Sequence, residues 1–204
     1  AVKPQVLPAV VGELREVFAD NRPVVVSIAA GQTIARIEEL LPPGLAVIRV
    51  MPNVNAMIGQ GMAAVCGNAR ATEDQVARVV ELFTAVGQAI ELPEKHFSLF
   101  TALAGSGPAF TFSFIEALAS AAVNHGLPKP LAVRVAAQTV LGSAGLVLDR
   151  AESGGTPATL RDMVSSPGGT TIAGLLAADD AGLSPAVVRA VDAAVARDRD
   201  LGAM

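Results

Sequence analysis

The chain has 204 residues, 51% of them hydrophobic and 17% charged, enough to build one large domain or two small ones around a sizeable core. Its formal charge of −4, with no basic tract, argues against a nucleic-acid surface. One cysteine, Cys66, excludes an intrachain disulfide, and with only two histidines beside it a four-ligand Cys/His zinc site is nearly excluded; the composition suits a reducing, cytoplasmic compartment.

No signal pattern opens the chain. Val6, Val10, Leu14 and Val17 stand at helical spacing over Gln5–Asp20. Pro23–Ala30 is a short apolar, β-branched run and predicts a buried strand ended by Gly31. Thr33–Leu41 predicts a short helix, stopped by Pro42-Pro43-Gly44. Leu45–Met51, Gly61–Gly67 and Gln88–Leu92 predict three more strands, with Cys66 as a small buried residue in the second of them. Thr72–Val86 predicts a helix with Thr72 and Gln75 as a capping box. Strands alternating with helices imply a mostly parallel α/β sheet.

After Pro93 no further strand is predicted, so the domain boundary is set there: residues 1–93, then 94–204. Helices are expected over Glu94–Ala104, from Pro108 to His125, over Lys129–Arg150 and over Ser184–Leu201, the last capped by Ser184. Gly105-Ser106-Gly107-Pro108 should kink or restart the first of these. The apolar windows Ala109–Val123 and Leu131–Leu148 contain Glu116, Arg134 and Gln138. Neither is an uninterrupted run of the roughly 18–20 residues a bilayer needs, so no membrane partner is expected. Their small residues instead predict buried helices at a subunit interface. His96 and His125 read as surface residues, and Arg197, Asp198, Arg199 and Asp200 as a solvated helix face.

Two places could carry chemistry. Ligands of open α/β sheets bind beyond the carboxyl ends of the strands. The loops there would be Ala1–Pro4, Ala29-Ala30-Gly31 and Met51-Pro52-Asn53, which together suggest a nucleotide site. The phosphate-cradling G-x-G-x-x-G fingerprint is absent. The second place is Leu160–Leu176, two helical runs around Ser165-Ser166-Pro167-Gly168-Gly169. Pro167 fixes its own φ, and the glycines open backbone angles closed to other residues. Thr170 or Thr171 can cap the second helix. Free N–H groups at that helix start, with hydroxyls beside them, make an anion site for a carboxylate or a phosphate.

Ala1–Pro4, Met51–Asn53, Ala102–Phe110, Gly126–Pro128, Gln138–Gly142 and, above all, Leu160–Thr171 together resemble pyrroline-5-carboxylate reductase. Ala104 and Phe110 depart from the motif, which often has Ser and Tyr there. The resemblance implies the last part of a Rossmann-type parallel sheet followed by an all-helical dimerisation domain. It implies reduction of L-1-pyrroline-5-carboxylate to L-proline by NADPH or NADH, in a homodimer or a multiple of it. It assigns Ala1, Val2, Lys3, Pro4, Ala29, Ala30, Gly31 and Asn53 to the dinucleotide. Ser166, Gly168, Gly169, Thr170 and Thr171 would hold the substrate carboxylate. Glu94 would face the substrate and stabilise its iminium form, and Thr171 would be one candidate proton donor; Glu152 is a weaker candidate carboxylate. The resemblance further implies that the family's first strands, with the glycine fingerprint, lie upstream of Ala1. Two other readings remain open: a non-catalytic dimerising module of that family, and a related imine or β-hydroxyacid reductase.

Overall fold

The structure, a computed structural model, describes Val2 and Pro4–Ala203. It divides into two compact units, one holding the residues up to Pro108 and from Ala190 onward, the other Ala109–Arg189.

In the first unit a 3-10 turn at Pro4–Val6 leads into α1 (Leu7–Glu13) and α2 (Arg15–Asn21). β1 (Val25–Ser27), α3 (Ile34–Leu40), β2 (Val47–Met51), β3 (Gly61–Gly67), α4 (Glu73–Thr84) and β4 (Gly87–Glu91) follow. The strands lie in the order β1-β2-β3-β4. β1 pairs parallel with β2, and β3 with β4, but β2 and β3 are antiparallel, with Met51 opposite Ala64. The sheet is therefore mixed: two of its three pairings are parallel, as expected, and one is antiparallel. The cause is the link Pro52–Gln60, which holds only a 3-10 turn at Val54–Ile58. A parallel crossover needs about a dozen residues or more, so this shorter link can only reverse the chain.

Alternation along the strands divides the core. Ile48, Val50, Ala63 and Val65 face Val76 and Val79 of α4. Val47 packs with Val11, Ile37, Leu41 and Leu45, from α1, α3 and the loop after α3. Ala64 meets Phe97 and Phe100. The capping box of α4 is as read: Thr72 Oγ1 accepts the Gln75 N–H at 3.2 Å, and Gln75 Oε1 accepts the Thr72 N–H at 3.0 Å.

Secondary structure turns helical at Pro93. The compact units divide elsewhere, because Phe97 and Phe100 pack on β3 and the last helix returns to the Gly31 turn. A 3-10 turn at Glu94–His96, α5 (Phe97–Phe100), a π turn at Thr101–Gly105 and α6 (Gly107–Asn124) run on from one another. At the expected kink the helix bulges instead. The Ser106 N–H reaches back to the Thr101 carbonyl at 2.8 Å. Such a turn admits one extra residue, and the side-chain amide of Asn53 donates to the Ala104 carbonyl at 3.0 Å.

The continuous helix Glu94–Asn124 has 31 residues and α7 (Lys129–Ala151) has 23; by length and composition both could cross a membrane. These helices are longer than the apolar windows read from the sequence, because the π turn joins the segments on either side of Gly105–Pro108, and α7 carries few charges along its length.

In the second unit, Lys129 pairs with Glu116 and holds its carboxyl below the usual range, first through the hydrogen bond and then through its charge. α8 (Pro157–Met163) starts on a box in which Thr156 and Thr159 each accept the other's N–H, at 3.2 and 2.9 Å. α9 (Thr170–Asp180) and α10 (Leu183–Ala203) complete the chain. Ser184 does not cap α10. The helix begins one residue earlier, and the Gly182 carbonyl accepts its first hydrogen bond, from the Ala186 N–H at 3.0 Å.

Candidate functional site

In the first unit, β1 and β2 end side by side and parallel, so the loops after them lie at one edge of the sheet. Ser27 Oγ accepts the Ala29 N–H at 3.3 Å, which fixes the start of the first loop. Ala29 is buried and Ala30 exposed. Gly31 has φ +71°, and a β-carbon there would also stand 3.3 Å from Cβ of Leu201 on α10. Arg36 ties the same end of α10 down by donating to the Gly202 carbonyl at 3.1 Å. Thr33 then caps α3, accepting the Arg36 N–H at 3.3 Å.

Glu94 also serves this loop. Its Oε1 accepts the Ile34 N–H at 2.7 Å and an Arg49 Nη1–H at 2.9 Å. The Arg49 side chain is only 6% exposed, that of Glu94 32%. The Arg49 guanidinium stacks on Phe97, 4.6 Å from the ring centre. Cys66 faces Arg49 across the β2–β3 pairing. Burial pushes its thiol pKa up; the Glu94 backbone hydrogen bond opposes this, and the charges of Glu94 and Glu91 add to it.

Asn53 is wholly engaged along one side. Its Nδ2 donates to the Ala104 carbonyl at 3.0 Å and its Oδ1 accepts the Met62 N–H at 3.1 Å. Val2 and Pro4 precede α1, while the Ala1 and Lys3 assignments lie outside the described residues. Asp198 is 8% exposed and thus not part of a solvated face. One turn of α10 carries both faces: Asp198 falls on the packed one, in a cavity with Gly31, Thr33, Arg49 and Ser98, exposed Arg199 stands at the same cavity, and Arg197 and Asp200 are exposed. His96, His125 and Glu152 are exposed.

In the second unit, the Gly169 N–H donates to the Ser166 carbonyl at 3.0 Å, closing a tight turn in which Gly168 has φ +67°. Gly169, not Thr170 or Thr171, is the N-cap of α9, and it offers no side chain. The first intrahelical bond is Ala173 N–H to Gly169 O, at 3.3 Å. The N–H groups of Thr170, Thr171 and Ile172 thus precede it, free of the helix ladder. Ser166, Thr170 and Thr171 are exposed around them, and no acidic residue sits in the first turn. Because neither threonine caps the helix, both hydroxyls stay available. The turn presents donors and a helix dipole to one small anion.

The structure thus groups Ala29, Ala30, Gly31 and Glu94 in one unit, and Ser166, Gly168, Gly169, Thr170 and Thr171 in the other. Sequence reasoning missed Arg49. Its signal was there: a lone charge inside the apolar strand Leu45–Met51 must find a partner.

A family model for pyrroline-5-carboxylate reductase dimerisation matches residues 94–201. The chain is 44% identical over 202 residues to the pyrroline-5-carboxylate reductase of Synechocystis, covering 99% of this chain and 73% of that protein. It resembles the crystal structure of Plasmodium falciparum pyrroline carboxylate reductase with NADP bound, with a TM-score of 0.90 and 30% identity over 99% of this chain and 79% of that one. It also resembles the Streptococcus pyogenes 1-pyrroline-5-carboxylate reductase, with a TM-score of 0.87 and 38% identity over 98% of this chain and 74% of that one.

Proposed function

This chain belongs to the pyrroline-5-carboxylate reductase family, and from that premise we propose that it reduces L-1-pyrroline-5-carboxylate to L-proline with NADPH or NADH. The observation that carries the reading is the donor cluster at the start of α9, whose N–H groups and neighbouring hydroxyls suit one carboxylate. When bound, the nicotinamide nucleotide supplies a hydride to the imine carbon of the ring, while the ring nitrogen takes a proton. The loop Ala29-Ala30-Gly31 fits such a cofactor, since its small residues let a flat ring approach the backbone.

The chain's own residues bind and orient. The N–H groups of Thr170, Thr171 and Ile172 fix the substrate carboxylate, and the Ser166 and Thr171 hydroxyls limit its rotation. The carboxylate anchors one end of the ring and so sets where its C=N bond lies. Asn53 acts by holding the loop after β2 to the π turn.

We read the protein as a homodimer or a multiple of it. Phe112 of α6 and Leu141 and Leu148 of α7 are 58%, 61% and 65% exposed in the single chain, within the region matched by the dimerisation model. Helices apolar on several faces need covering, and a second copy covers them. We place the reaction in the cytoplasm, where reduced nicotinamide nucleotides are available and Cys66 stays a free thiol.

The test is substrate-dependent NADPH oxidation, with Thr171→Val as the probe of the anion turn. A hydrogen bond to a charged group contributes about 1.5–3 kcal/mol, so KM for pyrroline-5-carboxylate should rise about tenfold while NADPH affinity holds. No oxidation in the wild type overturns the function; a normal KM in the variant overturns the turn's role.

A further inference from the structure

We propose that Glu94, braced by Arg49, is a positioning residue for the nicotinamide nucleotide, acting through the backbone N–H of Ile34. The inference rests on the reading that the loop Ala29–Thr33 faces that nucleotide.

The N–H of Ile34 is the first of α3 and has no acceptor within the helix. Thr33 caps α3 but takes the Arg36 N–H, not that of Ile34. The acceptor comes from a residue 60 positions away: Glu94 Oε1, at 2.7 Å. A carboxylate there also suits the positive end of the helix.

Glu94 is itself held. The same oxygen accepts from Arg49, whose side chain is buried in β2 and stacked on Phe97, so the guanidinium has little room to follow a moving partner. Glu94 thus joins the central sheet, the start of α3 and its own 3-10 turn at Glu94–His96.

The loop is short, and both its ends are pinned. Ala29 is tied to Ser27 on β1, and Ile34 to β2 through Glu94 and Arg49. Between them, Gly31 already occupies a left-handed conformation against Leu201. A loop that touches a flat cofactor with small side chains has no long side chain to make up a shift of its backbone. Its position therefore depends on the pin at Ile34.

Three substitutions separate this role from that of the ion pair. Glu94→Gln keeps an oxygen at full reach for Ile34 and loses the charge. Glu94→Asp keeps the charge and falls one methylene short. Glu94→Leu loses both. NADPH binding by calorimetry should rank them: a Kd within about threefold of wild type for Gln, several-fold higher for Asp, and about tenfold higher for Leu. KM for pyrroline-5-carboxylate should move less than the NADPH Kd in Asp and Leu, and the Ile34 amide should exchange faster with solvent in Asp and Leu than in Gln. Asp binding NADPH better than Gln would make charge the determinant and overturn the proposal. So would equal losses for both ligands, the mark of a general effect on folding. A wild type that oxidises NADPH, with faster Ile34 exchange but unchanged NADPH affinity in the variants, overturns the positioning role and leaves the reductase reading intact. A wild type that does not oxidise NADPH removes the reading itself.

Discussion

A β-carbon on Gly169 would clash with the hydroxyl oxygen of Ser166 and lie 3.1 Å from its carbonyl oxygen. The backbone angles of Gly169, φ −80° and ψ 171°, are open to any residue. Its lack of a side chain is therefore a matter of space, not conformation. Gly168 is the opposite case, open on all sides but held at φ +67°.

Gly169→Ala should consequently push the Ser166 hydroxyl out of the donor cluster while the fold survives. KM for pyrroline-5-carboxylate should rise about tenfold, as for loss of one hydrogen bond to a charged group. Adding Ser166→Ala removes the clash with the hydroxyl and should recover melting temperature but not KM. Steady-state kinetics and thermal melts of both variants check this.

Cys66 should be a slow nucleophile. Burial, then the nearby carboxylates, raise its thiol pKa, so the folded protein keeps it neutral. Iodoacetamide at mildly alkaline pH should modify the unfolded chain several-fold faster than the native one. The sign for stability follows from linkage: the neutral thiol's contribution is fully present below the unfolded thiol pKa and is lost as pH rises through the folded one. A native rate equal to the unfolded rate would contradict the assignment.

Sedimentation at micromolar concentration should show a dimer or a multiple of it, with no stable monomer. Phe112→Asp, on α6, places a charge where apolar surface needs a cover, and should shift the equilibrium toward monomer or aggregate.

What the amino-acid order reveals here is what depends on neighbours. The capping box of α4 rests on residues three apart, and the turn at Ser165–Gly169 on five consecutive ones, so both were legible. The π turn was not. Gly105–Pro108 signals an interruption, but whether the helix stops or bulges depends partly on Asn53, which satisfies the Ala104 carbonyl from 51 residues away. The antiparallel pairing of β2 and β3 was hidden for a different reason: two buried apolar strands look alike in either direction. The burial of Asp198 depends on which side of α10 meets the Gly31 turn, and a charged run by itself does not say.

Arg49 and Glu94 should respond unequally to loss. Glu94→Ala strands a guanidinium whose side chain is 6% exposed, whereas Arg49→Met replaces it with an apolar chain of similar reach and leaves a carboxylate that is 32% exposed and still bonded to Ile34. Breaking a fully buried pair costs about 3–5 kcal/mol; with Glu94 partly in water, roughly 2 kcal/mol is expected for Glu94→Ala and clearly less for Arg49→Met. Urea titrations of the two variants would show it, and equal midpoints would refute it.

That inequality gives the pair a history with a direction. A lineage that loses Arg49 first passes through a protein that still folds and in which Glu94 still accepts the Ile34 N–H. The reverse order runs through a destabilised intermediate that selection would remove. Among related sequences, then, a carboxylate at position 94 without an arginine at position 49 should be a common arrangement, and the arginine without the carboxylate a rare one.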